Sequence, residues 1–152
     1  MPLSVRCGTD LIKINRISMA VQRHGQPFLD RIWTRQEQAD CLPDGHLTAA
    51  GAASLAARFA AKEAVAKALG TGIGQAGIRW TDLSVHRSSS GEPAVLLAHA
   101  ALDAFRNLGG RSISISLSHE NDLAMAFCVL LHKEQASRKI RPGAARKPIH
   151  EK

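Results

Sequence analysis

One stretch constrains this chain more than any other: Arg58-Phe59-Ala60-Ala61-Lys62-Glu63-Ala64-Val65-Ala66-Lys67-Ala68-Leu69-Gly70-Thr71-Gly72-Ile73-Gly74. It reads as the end of an alanine-rich helix followed by a glycine turn. Glu63 and Lys67 are four residues apart and share one helical face, with Ala56 and Ala60 on the same strip. Small side chains let another element or ligand approach closely. A carboxylate at the end of such a strip can hold a metal ion, and an ammonium can hold phosphate. The pairing points to chemistry on a phosphorylated ligand.

Helix limits follow from the neighbouring residues. Thr48 is a suitable N-cap and Gly70 a suitable C-terminal glycine, so one helix is expected from about 48 to 69. Leu55, Phe59, Ala66 and Leu69 give it a core stripe, with Lys62 in the same register. Gly72, Gly74 and Gly77 keep the next loop irregular and fit close backbone approach to a ligand. Gly70-Thr71-Gly72-Ile73-Gly74 is not a dinucleotide fingerprint, because it follows a helix instead of opening one.

Residues 3–9 alternate as a strand ending at Asp10, and Ile14, Ile17 and Val21 then adopt helical spacing. Gly25-Gln26-Pro27 breaks that helix. Thr34 and Glu37 form a capping-box pattern. Residues 82–88 and 93–97 read as a hairpin, 98–108 as a helix, and 112–118 and 123–131 as strands around the turn His119-Glu120-Asn121-Asp122. The expected class is α+β, a mainly antiparallel sheet packed on a long central helix. One domain over 1–131 is expected, with a basic, disordered tail over 132–152.

Charge supports that division. The chain carries +7, but 132–152 holds +5 and the remainder only +2. The basic balance is thus mainly a property of the tail. With 4% aromatics and no Tyr, nucleic-acid binding is not expected. A second basic concentration spans Lys13, Arg16, Arg23, Arg31 and Arg35, opposed only by Asp30, and would suit an acidic partner. The longest apolar run, 123–131, is too short to span a membrane, and no signal peptide is visible, so the cytoplasm is expected. Cys7, Cys41 and Cys128 have no zinc spacing and read as small buried hydrophobes.

Asp10 and Glu63 are candidate Mg²⁺ ligands, given a strand and a helix that pack together. Either alone more commonly means a surface carboxylate. His119 shares the parity of Ile113, Ile115 and Leu117, so it points to the packed side at a strand end. No G-x-S-x-G elbow supports a hydrolase.

Three segments, in order and spacing, resemble one family, the holo-acyl-carrier-protein synthases. They are Gly8-Thr9-Asp10 through Arg16-Ile17, Arg58-Phe59-Ala60-Ala61-Lys62-Glu63-Ala64 through Lys67 to Gly72, and Ser116-Leu117-Ser118-His119. The resemblance covers about residues 3–131. It implies a 4′-phosphopantetheinyl transferase that moves phosphopantetheine from coenzyme A to a serine of an apo acyl carrier protein or carrier domain. The product would be adenosine 3′,5′-bisphosphate, and the setting fatty acid or polyketide biosynthesis. It implies a homotrimer with active sites at subunit interfaces. By position, Asp10 and Glu63 would hold Mg²⁺, and Lys67 would meet the pyrophosphate. Arg58, Gly70, Thr71, Gly72 and His119 would surround coenzyme A, and Arg16 and Arg23 would face the carrier. Glu63, Lys67 and His119 would be the catalytic set. Lys13 departs from the family, which commonly has an acid there. The alternative is a non-catalytic coenzyme A or carrier-binding module on the same fold.

Overall fold

The computed structural model describes residues 2–134. The order is β1 (Leu3–Lys13), α1 (Ile14–His24), α2 (Gln26–Ile32), α3 (Arg35–Cys41) and α4 (Ala49–Leu69). A 3-10 turn (Trp80–Asp82) precedes β2 (Leu83–Arg87), β3 (Pro93–Leu97), α5 (His99–Asn107), β4 (Gly110–Glu120) and β5 (Leu123–Lys133). The α+β class holds. β1, β5 and β4 form an antiparallel sheet in that order, and β2 and β3 a separate hairpin.

Helix α4 lies between these layers, touching β1 and β5 on one side and β2, α1 and α3 on others. Its alanines allow this. Ala56, Ala60, Ala61, Ala64, Ala66 and Ala68 are fully buried, so backbones come close on several sides at once. The tightest point is Gly8, where a Cβ would overlap the carbonyl oxygen of Ala64. Thr48 caps the helix by accepting from the Gly51 N–H at 3.0 Å. Gly70, at φ 81°, ends it by donating to the carbonyls of Ala66 and Lys67.

Both cap signals of α3 are realised. Thr34 Oγ1 accepts from the Glu37 N–H, and the Glu37 carboxylate accepts from the Thr34 N–H at 2.9 Å. Lys62, expected on the core stripe, is wholly buried and ion-paired to Glu37 at 2.7 Å. Aromatic rings fill the space around it, with Phe59 stacked on Trp80 at 4.5 Å and Trp33 edge-on to Phe28.

Four expectations change. β1 continues to Lys13, so Asp10 lies inside the strand instead of at its end. Pairing with β5, through Lys13↔Leu123, carries it past the point where alternation faded. His119 and Glu120 belong to β4, leaving Asn121 and Asp122 as the turn. Cys7 is exposed while Cys41 and Cys128 are buried. Cys7 shares the outward face of β1 with Leu3 and Val5, because Gly8 must face α4. That outward face is apolar: Leu3, Val5 and Leu11 are 57, 64 and 61% exposed, and Met125 and Phe127 lie beside them on β5. At the far end, His132 and Lys133 belong to β5, and residues 135–152 of the expected tail lie outside the described residues. No helix among the described residues is long and apolar enough to cross a membrane.

Candidate active site

Gly8 and the alanines of α4 decide where Asp10 goes. With β1 pressed against Ala64 and Ala68, Asp10 comes beside the next exposed groups of the helix, Glu63 and Lys67. Lys67 Nζ donates to the Thr9 carbonyl at 2.8 Å and to Asp10 Oδ1 at 3.1 Å. The Glu63 carboxyl is raised above its ordinary value, first by partial burial, then by the negative charge of Asp10, with Lys67 opposing. Residues 10, 63 and 67 thus form one electrostatic cluster.

Its donor set suits a hard divalent ion. Two carboxylates close enough to repel each other gain from a cation between them. Mg²⁺ commonly takes one or two protein carboxylates and completes its shell with water and phosphate oxygens. Among the described residues no group of three or more His, Cys, Asp or Glu could hold a metal. The fit is therefore to an ion shared with a phosphate-bearing ligand, not to a closed protein cage.

Beyond Lys67, the first residues of the glycine loop complete the helix. The N–H groups of Gly70, Thr71 and Gly72 all turn back to the Ala66 carbonyl, at 3.0, 3.3 and 3.4 Å. They finish the helix and are not presented outward. Thr71 Oγ1 is buried with no hydrogen-bond partner among the described residues. It lines a cavity of about 700 Å³ with Leu69, Asp103, Ala104 and His132.

Arg58 and His119 lie elsewhere. Arg58 precedes Glu63 by five residues, which turns it well around the helix. It is buried, with Nη1 donating to Ser54 Oγ at 2.5 Å, Nε donating to the Val85 carbonyl at 3.4 Å, and Asp40 at 3.6 Å. Arg58 and His119 share a cavity of about 420 Å³ with Ala57, His86, Arg87 and Gly91. Asp10, Glu63, Lys67 and Gly72 do not line it. The register explains the separation: Asp10 pairs with Ala126 on β5, which pairs with Leu117 on β4, so Asp10 and His119 lie on opposite edges of the sheet. Within one chain the expected site residues form two groups.

His86, Arg87 and Gly91 were not singled out by the sequence. His86 and Arg87 read only as part of the strand 82–88 and Gly91 only as part of the hairpin turn Ser89-Ser90-Gly91-Glu92, and nothing local shows which way the hairpin folds. Arg16 and Arg23 are exposed on α1.

The family model described as the 4′-phosphopantetheinyl transferase superfamily matches residues 6–128. A holo-[acyl-carrier-protein] synthase of Herpetosiphon aurantiacus is 44% identical over 127 residues, covering 80% of this chain and 94% of that one. One from Rhodopseudomonas palustris is 46% identical over 127 residues, covering 81% and 89%. The fold matches the crystal structure of the Helicobacter pylori holo-[acyl-carrier-protein] synthase in complex with coenzyme A at TM-score 0.69 and 31% identity, covering 82% and 98%. The Neisseria meningitidis synthase matches at TM-score 0.72 and 34% identity, covering 82% and 96%. With the Asp10, Glu63 and Lys67 cluster in place on this fold, the chain belongs to the 4′-phosphopantetheinyl transferase superfamily, in its holo-[acyl-carrier-protein] synthase family.

Proposed function

We propose that this chain transfers 4′-phosphopantetheine from coenzyme A to a serine hydroxyl of an apo acyl carrier protein, releasing adenosine 3′,5′-bisphosphate. Relatives named for this activity and relatives solved with coenzyme A support it. The observation that carries it in this chain is the convergence of Asp10, Glu63 and Lys67 from two distant segments.

Phosphoryl transfer depends mainly on positioning and charge neutralisation. Asp10 and Glu63 would hold Mg²⁺, which supplies charge neutralisation at the pyrophosphate when bound. Lys67, already oriented by the Thr9 carbonyl, donates to the pyrophosphate and stabilises charge growing on the leaving bisphosphate. Glu63 takes the serine proton, directly or through a water. The serine oxygen forms the new bond to the pantetheine-bearing phosphorus, and the bond from that phosphorus to the bridging pyrophosphate oxygen breaks. Arg58 and His119, with Arg87, suit the phosphates at the nucleotide end. Arg16 and Arg23 present positive charge to an acidic carrier.

The site is shared between subunits of a homotrimer, in which Arg58 and His119 of one chain complete the Asp10, Glu63 and Lys67 cluster of another. Two observations favour this. The groups stay apart within one chain, and the outward face of β1 and β5 exposes contiguous large apolar side chains that a monomer would leave in water. The cytoplasm is the compartment this reaction implies.

The decisive experiment mixes the protein with coenzyme A, Mg²⁺ and an apo carrier protein and weighs the carrier. A carrier heavier by one phosphopantetheine supports the proposal. Coenzyme A binding with no adduct on any of several carriers would instead favour a binding module.

A further inference from the structure

Glu37 and Lys62 take no part in the chemistry above, yet both are completely buried. The Lys62 ammonium donates to Glu37 Oε2 at 2.7 Å, to the Ile32 carbonyl at 2.6 Å and to the Trp80 carbonyl at 3.2 Å. All three of its protons are used. Glu37 Oε2 also accepts from the Thr34 N–H, and Glu37 Oε1 accepts from the Val85 N–H at 2.9 Å. The pair joins the end of α2, the start of α3, the Trp80 turn and strand β2 to helix α4.

Stability alone is a poor reason for such a pair. Desolvating two charges costs as much as their attraction returns, and apolar residues of similar volume often do as well. What an apolar pair could not do is accept a hydrogen bond from Val85. The Val85 carbonyl, in turn, accepts from Arg58 Nε at 3.4 Å. Arg58 and Lys62 are one helical turn apart on α4. Both main-chain polar groups of Val85 are thus tied to α4, one directly by Arg58 and one through Glu37. The next residues of this hairpin, His86, Arg87, Gly91 and Pro93, line the cavity that Arg58 and His119 share.

We infer that the buried Glu37–Lys62 pair is a positioning device for coenzyme A, fixing the β2–β3 hairpin on α4 and so setting the cavity between Arg58 and Arg87 that receives the nucleotide end. The inference rests on the proposed coenzyme A function of that cavity. The pair acts through Val85 and the hairpin and touches no reacting atom.

Two substitutions test this. Glu37→Asp keeps the charge but is one methylene shorter, so one carboxylate cannot reach both Lys62 and Val85. Glu37→Gln keeps the reach but has a single acceptor oxygen, for which Val85 and Lys62 compete, and it serves if the Asp variant fails to fold. Circular dichroism checks folding, steady-state transfer gives kcat and KM for coenzyme A and for carrier, and calorimetry gives the affinity for adenosine 3′,5′-bisphosphate. In the folded Asp variant KM for coenzyme A and Kd for the bisphosphate should each rise about tenfold, with kcat and carrier KM within about twofold. The Gln variant should show a smaller rise in the same two quantities. A role in folding alone would lower kcat through lost active protein and leave nucleotide affinity untouched; that pattern, or equal affinity in all folded variants, overturns the inference. A parent chain that does not bind the bisphosphate overturns the functional reading and this inference together. A parent chain that binds it, with variants that bind equally, overturns this inference alone.

Discussion

The two sides of α4 differ in how their polar groups are held. Toward β1, Lys67 is half-exposed and bonded to the Thr9 carbonyl and Asp10, and Glu63 is partly buried with a raised pKa. Toward the β2–β3 hairpin, Arg58 is buried and has three protein partners, Ser54, Val85 and Asp40. The first side keeps donors and acceptors free to exchange partners, which suits the proton and phosphate chemistry proposed for it. The second is fixed in advance, which suits the proposed recognition of an unchanging nucleotide. One helix carries both because five residues of spacing separate Arg58 from Glu63 around its axis.

The sharpest way to break this contrast is Glu63→Gln. Loss of the proposed base and metal ligand should lower transfer about a thousandfold, read as the rate of carrier mass gain, while bisphosphate affinity stays close to the parent's. Equal loss of both would show that the two sides are not separable. Mixing Glu63→Gln chains with His119→Ala chains and reassembling them sharpens it further. Sites shared between subunits should recover roughly a quarter of parental activity by random assortment, whereas sites within one chain recover none.

Phe127→Glu is the next largest effect. A carboxylate on the apolar outward face should convert the proposed trimer to monomers in sedimentation and, by parting the two groups, lower transfer about a hundredfold. An unchanged sedimentation coefficient would place the assembly elsewhere. Lys67→Ala should raise KM for coenzyme A about tenfold, since one charge-assisted contact to the pyrophosphate is lost. A near-parental KM would move that role to another cation.

The smallest effect concerns stability in metal-free buffer. The Glu63 carboxyl is raised from its ordinary 4.5, so its neutral form is favoured in the folded chain. Its contribution is fully present below pH 4.5 and lost as pH rises through the folded value. Glu63→Gln should therefore melt about 1–2 °C higher than the parent near pH 7, a gap that closes in acid. Because the group is partly solvated, a large gap would mean stronger coupling to Asp10 than the geometry supports.

Much of this was legible in residue order, and the reason is local. Thr48, Gly70 and the Thr34–Glu37 pattern act over three or four residues, so helix ends could be read directly. Alternation from Ile113 to Leu117 marked β4, and the parity of His119 placed it on the helix side. What failed was set by distant contacts. Alternation in Leu3, Val5 and Cys7 shows two faces but not which one is covered. Gly8 against Ala64 decides that, and so exposes Cys7. Glu37 was visible as a cap, but its bond to Val85, 48 residues away, was not.

The residue pattern alone was enough for the chemical inventory: two carboxylates, an ammonium, an arginine and a histidine on recognisable elements, with the helix boundaries between them. Helix periodicity and capping are short-range, so they survive in the order of residues. The meeting of Asp10 with Glu63 and Lys67, the remoteness of His119, and the hairpin wall held by Glu37 and Lys62 belong to the folded molecule. Each depends on which surfaces α4 can approach closely, and that is settled by the packing of Gly8 and the alanines against strands far away in sequence.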